Sequence, residues 1–299
     1  MRTRDLDDAA AARRGIALAA AAAVAFGTLA IFAKFGYRAD AEVVPLLAGR
    51  FWVTSVLLAA FHAATRRPLG VPRGTAVRLL LLGGIGYAAE SGLFFAALER
   101  APAGVVSLIF YSYPMLTTLL AWATGLERLR APTIVALALG SGGIALIFGV
   151  PSGGLAGPLL ALAAAAAVGV FMVTAQVVVR GVAPAAAATW TAAGAAVVLS
   201  GACLAGAGGL PAAALPAAGG LGLATAVAFL LMYTAIARIG STRTSVAAML
   251  EPVTTLALAA LVLDERLTAR VLLGAALVVA ALPVLATTAR RSEPPRDAL

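Results

Sequence analysis

The sequence predicts an all-α polytopic membrane protein whose ten transmembrane helices form two inverted five-helix repeats. Three observations support this prediction. The 299 residues are 62% hydrophobic and only 12% charged, with a mean hydropathy of +0.99. Apolar segments of membrane-spanning length follow one another along the chain, and one long stretch of the first half recurs in the second. A soluble domain is about half apolar and a quarter charged, so this composition indicates a chain embedded in a bilayer.

Ten segments have the length that a helix needs to cross the hydrocarbon core, about 20 apolar residues. Short Gly/Pro-rich or charged breaks separate them. The spans are predicted near residues 15–36, 44–62, 77–98, 103–125, 131–150, 155–178, 184–205, 217–237, 242–263 and 269–288. The first repeat therefore covers residues 15–150 and the second 155–288, with short tails at 1–14 and 289–299.

The basic residues predict how the chain is inserted. Most of the 22 Lys and Arg residues fall on the side of the ten-span topology that holds both chain ends. Only a few, such as Lys34 and Arg266, fall on the opposite side. Because cytoplasmic loops carry an excess of Lys and Arg, both termini are expected in the cytoplasm, in a plasma membrane. The alanine-rich composition and the preference for arginine over lysine suggest a bacterial source.

The duplication also predicts how the two halves are oriented relative to one another in the membrane. Residues 95–129 recur without a gap at 233–267, and the tripeptide Glu127–Leu129 returns as Glu265–Leu267. Five spans separate equivalent positions, so the second copy is inserted upside down relative to the first. Its loop has gained an acid and lost a base, as the charge rule requires of an inverted copy. Duplicated bundles of this kind commonly place a transport pathway between their halves.

Charge and rare residues exclude several classes of function. The net charge of +9 is scattered over short loops and chain ends, so no nucleic-acid partner is expected. Cys203 is the single cysteine and His62 the single histidine. Intrachain disulfides, zinc ribbons and iron–sulfur clusters are therefore excluded, and so are most histidine-based metal sites and triads. We expect no metal, no cofactor, no catalytic residues and no enzymatic activity.

Blocks along both halves resemble the drug/metabolite transporter superfamily, specifically proteins with two EamA repeats. The resemblance lies in Phe26-Gly27-Thr28 through Lys34, in Leu47–Trp52, in Phe94–Glu127, and in Glu251-Pro252 with the acidic loop that follows. It implies a ten-helix exporter or importer of small metabolites, with an inverted-repeat bundle around a central cavity. Glu90 departs from the family pattern, because it puts an acid inside the third span.

Glu90 is the first candidate site residue. It lies near the middle of the third span, on a face with Tyr87, Ser91 and Phe94 at helical spacing. An ionisable group at this depth is a functional candidate, and a carboxylate could bind a coupling proton, a cation or the amine of a substrate. The alternative is a structural carboxyl paired with Arg50 or with a tyrosine hydroxyl.

Glu251 is the second candidate for substrate binding and for proton or cation coupling. It precedes Pro252 midway along the ninth span, and proline cannot donate to the carbonyl of Ala248. A kink is predicted there, with a free acceptor beside the carboxylate. The alternative is a purely structural role in bending the helix.

Pro114 is the matching predicted kink in the fourth span, and Tyr111 and Tyr113 precede it. Aromatic rings can bind organic substrates through stacking or cation–π contact. Trp190 and Tyr233 are weaker candidates on the same argument. The alternative for each ring is that it fills the core.

Two further polar residues lie inside spans. Arg50 is the only base well within the membrane, and it could recognise a carboxylate or phosphate, or neutralise Glu90. Gln176 in the sixth span is a candidate for lining a cavity.

These features predict a secondary transporter that exports a small organic metabolite, such as an amino acid or an amphipathic cation, by alternating access between inverted repeats. Its expected partners are the substrate, the bilayer and a coupling proton or ion, while monomer and homodimer both stay open. One alternative is a non-transporting membrane scaffold or assembly protein. Another is a nucleotide-sugar or phosphosugar carrier, which would usually need more bases at depth.

Overall fold

A computed structural model describes residues 2–98, 100–101, 103–148, 154–263 and 268–287, and every element in these ranges is helical. The first half contains α1 (Arg2–Gly27), α2 (Leu29–Arg38), α3 (Val43–Thr65), α4 (Arg73–Leu81), a π-helical segment (Leu82–Tyr87), α5 (Ala88–Leu98), α6 (Ala103–Phe110), α7 (Tyr113–Ala123) and α8 (Ala131–Phe148).

The second half begins with α9 (Ala156–Val179) and α10 (Pro184–Ala202), which a short π-helical segment (Cys203–Ala207) extends. A 3₁₀ turn (Ala212–Ala214) leads into α11 (Leu215–Ala248). Then follow α12 (Leu250–Leu263) and α13 (Ala269–Thr287).

The described residues contain nine helical stretches that are long and apolar enough to cross a membrane, and a further apolar helix at Leu250–Val262. The prediction of an all-α polytopic membrane fold is therefore confirmed. The division of the chain differs from the prediction in one place. Residues 242–263, predicted as one span, are shared between the last turns of α11 and the whole of α12. Gly240, with φ +82° and ψ 171°, interrupts α11 just before these last turns.

Helix breaks occur at related positions in the two halves. α6 and α7 are separated by Tyr111 and Ser112, and α11 and α12 are separated by Met249. Tyr111 and Met249 occupy the same position of the sequence repeat, and each lies three residues before a proline. Since proline lacks an N–H and crowds the preceding turn, a helix can be interrupted just upstream of it. A third break, at Thr28, separates α1 from α2.

Small residues bring the helices together. α8 packs against α13 and α1 packs against α11, while α3 contacts both α10 and α11. At the α8–α13 contact, a Cβ on Gly143 would lie 2.5 Å from the carbonyl oxygen of Gly274. Conversely, a Cβ on Gly274 would lie 2.6 Å from the carbonyl oxygen of Gly143. The two backbones therefore touch where neither residue has a side chain, as is typical of helix packing in membranes.

Candidate functional site

A cavity of about 300 Å³ lies inside the bundle, next to the helix breaks. Both halves of the chain line it: Phe26 and Leu29 flank the break between α1 and α2, and Tyr111 lies in the break between α6 and α7. Ala248 and Glu251 flank the break between α11 and α12. Interrupted helices around a mid-bundle cavity are a recurring feature of transporters built from repeats.

Three charged side chains line this cavity: Arg50 from α3, Glu90 from α5 and Glu251 from α12. Each carboxylate interacts electrostatically with Arg50, and the two carboxylates repel one another. The structure thus brings together three residues that the sequence predicts at depth in three separate spans. The cavity lining holds two acids and one base.

Glu90 is held by its neighbour rather than by Arg50. The Ser91 hydroxyl donates a hydrogen bond to Oε2 of Glu90 at 3.0 Å. Within the described part of the chain, no guanidinium nitrogen of Arg50 comes within 4.0 Å of either carboxylate. The ion pair with Arg50 that the sequence left open as an alternative is therefore absent from this conformation.

Arg50 is buried, with 5% of its surface exposed, and its guanidinium is held on two sides. Nε donates a hydrogen bond to the Thr225 hydroxyl at 2.6 Å, and that hydroxyl donates in turn to the Leu221 carbonyl at 2.7 Å. The guanidinium carbon lies 5.5 Å from the ring centroid of Tyr87, within cation–π range. Nη2 is buried and has no hydrogen-bond partner among the described residues.

Aromatic rings form a large part of the remaining wall. Eight of them line the cavity: Phe26, Tyr87, Phe94, Phe110, Tyr111, Tyr113, Phe171 and Phe229. The Phe110 ring lies 4.9 Å from that of Phe94, 5.7 Å from that of Tyr111 and 5.8 Å from that of Tyr113, centroid to centroid. These rings offer an organic ligand both apolar area and π faces.

Two aromatic candidates lie outside the cavity. Tyr233 is fully buried, and its hydroxyl shares a 2.8 Å hydrogen bond with the Thr191 hydroxyl. Trp190 donates from Nε1 to the carbonyl of Leu69 at 3.0 Å. Both therefore use their polar groups within the protein, Tyr233 between α10 and α11 and Trp190 toward the loop that follows α3.

Gln176, which belongs to α9, also lies outside the cavity. It contacts the chain at Ser241, just before the ninth predicted span. Its Oε1 accepts a 2.6 Å hydrogen bond from the backbone N–H of Ser241. With Arg180 and Gly240 it lines a separate depression.

Several cavity residues were not candidates in the sequence, above all Phe26, Phe110, Phe171 and Phe229. The helices that carry them are apolar on every side, so helical periodicity does not distinguish the face toward the cavity from the face toward lipid. Phe26 and Phe110 carried a weak signal, since both lie in blocks that resemble the transporter family, Phe26 at the point where α1 ends.

Comparison with known proteins agrees with this architecture. The profile of the EamA-like transporter family matches residues 13–149 and again 155–287. No curated protein matches the sequence. Among solved structures, 29 chains match. One crystal structure of a protein, 22% identical in sequence, superposes with a TM-score of 0.75 over 93% of this chain and 99% of its own. At that identity the likeness shows the fold alone.

Proposed function

Because the chain belongs to the EamA-like transporter family of the drug/metabolite transporter superfamily, we propose that it is a secondary transporter of a small organic metabolite. An amino acid and an amphipathic cation are the two substrate classes that suit its cavity. The observation that supports this proposal is the composition of the wall, in which two carboxylates, one guanidinium and eight aromatic rings meet. A volume of about 300 Å³ fits a small ligand, being at the lower end of the range for ligand pockets.

Alternating access between the two repeats is the proposed mechanism. The breaks at Thr28, at Tyr111–Ser112 and at Met249 are its proposed flexible points, since they interrupt helices beside the cavity. Motion about them would let the repeats rock around a bound substrate. The Thr255 hydroxyl donates to the carbonyl of Gly27 at 3.1 Å, so a hydrogen bond links the end of α1 to α12.

Both termini are proposed to be cytoplasmic, in the plasma membrane of a bacterium, and export is the proposed direction. The arginine-rich loops on the side of the chain ends support this orientation. Glu90 and Glu251 are the proposed carriers of a coupling proton or cation, because a carboxylate that lines a cavity within the membrane can exchange ions with it.

Counterflow in proteoliposomes tests the proposal. The purified protein is reconstituted and loaded with an unlabelled amino acid or cationic amphiphile, and uptake of the labelled compound is followed. We expect counterflow well above that of protein-free liposomes, and we expect Glu251→Gln to reduce it at least tenfold. Glu42→Gln is the matched control, because Glu42 lies at the start of α3 and does not line the cavity. A monodisperse, folded protein without counterflow of any probe would favour the scaffold alternative.

A further inference from the structure

We propose that the depression beside Gln176 is the cytoplasmic mouth of the transport pathway, and that the hydrogen bond from Ser241 to Gln176 closes it in this conformation. The proposal rests on the proposed transport function and names the gate of the same pathway. It depends on where the depression lies relative to the cavity, on the contacts between the two, and on the helical segment that Gln176 holds.

The depression continues the cavity along the same two helices. On α9, Met172 lines the cavity, and Gln176, one turn further along, lines the depression. On α11, Met232 lines the cavity, and Ile236, again one turn further along, lines the depression. Arg180, which follows α9 and also lines the depression, is exposed and belongs to a loop predicted on the cytoplasmic side. The depression therefore lies between the cavity and the predicted cytoplasmic face.

Two contacts between α9 and the α11 region lie where the cavity gives way to the depression. The rings of Phe171 and Tyr233 are 6.5 Å apart, centroid to centroid, and Tyr233 is fully buried. Next along α9, Oε1 of Gln176 accepts a hydrogen bond of 2.6 Å from the backbone N–H of Ser241. Gln176 is itself buried. The ring pair and the hydrogen bond together close the route between the two spaces.

The part of the chain held by this hydrogen bond is a short helical segment with an interruption at each end. The segment, Ser241–Ala248, follows the non-helical backbone of Gly240 and precedes the break at Met249. Two of its side chains, Thr244 and Ala248, line the cavity. Because the helix is interrupted on both sides, the segment can move without bending a longer helix. A movement that opens the depression would therefore also change the shape of the cavity.

A second contact holds the same segment from the first half of the chain. The Glu127 carboxylate accepts hydrogen bonds from the Thr242 N–H and from the Ser241 hydroxyl. The backbone N–H of Glu127 donates to the Ala121 carbonyl at 3.0 Å, so the loop that carries this carboxylate is anchored to α7. Gln176 belongs to the second repeat and Glu127 to the first. Motion of one repeat against the other therefore acts directly on the bonds that hold the segment.

Thiol accessibility tests whether the bond to Gln176 closes this route. The single native cysteine is removed by Cys203→Ser, and Met172→Cys places a thiol in the cavity wall. A maleimide that carries a sulfonate group, and so cannot cross the bilayer, is added to inverted membrane vesicles, which expose the cytoplasmic face. Because loss of one buried hydrogen bond shifts a two-state equilibrium about fivefold, Gln176→Leu should raise the labelling rate by about that factor.

Two controls distinguish an opened gate from a loosened fold. Thr174→Val changes a polar residue of the same helix that lines neither the cavity nor the depression, and it should leave the labelling rate unchanged. In right-side-out vesicles, Gln176→Leu should not raise labelling, since opening toward the cytoplasm does not open the outer face. An unchanged rate in inverted vesicles, or an equal rise from both faces, would contradict the role of Gln176.

A covalent bridge tests whether the route carries substrate. Gln176→Cys and Ser241→Cys are combined in the protein without Cys203, and a short bis-methanethiosulfonate reagent joins the two thiols. Counterflow of labelled L-leucine and labelled phenethylamine is followed before the reaction, after it and after reduction. The bridge should lower counterflow about tenfold or more, because transport requires the gate to open. Recovery on reduction shows that the variant is folded, and each single-cysteine variant should keep most of its counterflow.

The outcomes separate this inference from the proposed function. If counterflow continues undiminished with the bridge in place, the substrate does not pass between Gln176 and Ser241, and the proposed transport function survives without this gate. If the wild-type protein shows no counterflow of any amino acid or amine, both proposals fail together.

Discussion

Glu127, in the first half of the chain, caps the helical turns of the second half that begin beyond Gly240. Its Oε1 accepts a hydrogen bond from the backbone N–H of Thr242 at 3.3 Å and another from the Ser241 hydroxyl at 3.4 Å. These turns start at a helix N-terminus, where N–H groups lack partners within the helix and a carboxylate is favourable. The cap therefore joins the loop after α7 to the last turns of α11.

Removing this cap should destabilise the protein. Glu127→Ala leaves the Thr242 N–H without its acceptor, and a lost cap costs about 1 kcal/mol. We expect a lower melting temperature in detergent, measured by intrinsic fluorescence or by thiol accessibility of Cys203. Glu42→Ala serves as the comparison, since the Glu42 side chain forms no capping hydrogen bond at the start of α3. Equal melting temperatures for the two variants would contradict the capping role of Glu127.

Gly240 should tolerate no side chain. Its φ of +82° is unfavourable for other residues, and a Cβ there would collide with the Glu127 carboxylate. Gly240→Ala is expected to lower stability by about 1–3 kcal/mol, the usual range for backbone strain. Gly219→Ala in the same helix is the matched control, because nothing lies within 4 Å of its added Cβ. That variant should be neutral or slightly stabilising, since alanine favours the helix.

The α8–α13 contact provides a third prediction. Gly143→Val places a branched side chain against the backbone of Gly274 and should cost about 1–3 kcal/mol through overpacking. Gly142→Val, one residue earlier, points to open space and should be nearly neutral. The fraction of monodisperse protein after heating, measured by size-exclusion chromatography, separates the two variants. Equal survival would mean that the two helices do not pack at Gly143.

Tyr233 should matter for stability but little for transport. Tyr233→Phe removes the buried hydroxyl that bonds to Thr191 and should cost about 1 kcal/mol. Because Tyr233 does not line the cavity, the counterflow rate per folded molecule should stay within about twofold of the wild type. Tyr113→Phe, which alters a cavity ring, is the informative comparison. A larger transport defect in Tyr233→Phe than in Tyr113→Phe would return Tyr233 to the candidate site residues.

Coupling of transport to a proton gradient should depend on a carboxylate that lines the cavity. Glu90→Gln keeps the shape of the side chain but cannot take up and release a proton. If Glu90 carries the coupling proton, the variant should lose accumulation driven by a pH gradient and retain passive exchange. Accumulation and counterflow are measured in parallel on the same proteoliposomes. Gradient-driven accumulation at the wild-type level in Glu90→Gln would move the coupling role to Glu251 or exclude proton coupling.

The ninth predicted span has some features that the sequence predicts and others that it does not. Its apolar character and its place in the repeat were evident, and so was the proline that follows Glu251. The proline predicted a kink at this level, but the sequence did not show that the helix would be interrupted at Met249, three residues upstream, because methionine favours helices. Nor did the sequence predict the positive φ of Gly240, since glycine is common within membrane helices. In the folded chain this glycine lies against the carboxylate of Glu127, which is more than a hundred positions earlier in the sequence.

Composition and repetition alone determined that this chain is a polytopic helical membrane protein with ionisable residues at depth, and the blocks shared by both halves gave the resemblance to the EamA-like family. Those properties can be inferred from each segment separately, because exposing backbone polar groups to lipid is unfavourable whatever the neighbouring segments are. Which residues share a cavity was decided only by the tertiary structure. Arg50, Glu90 and Glu251 meet there, whereas Trp190, Tyr233 and Gln176 form hydrogen bonds elsewhere. The sequence of a helix that is apolar on all sides does not show which face contacts lipid. Which face lines a site therefore depends on how the helices pack against one another.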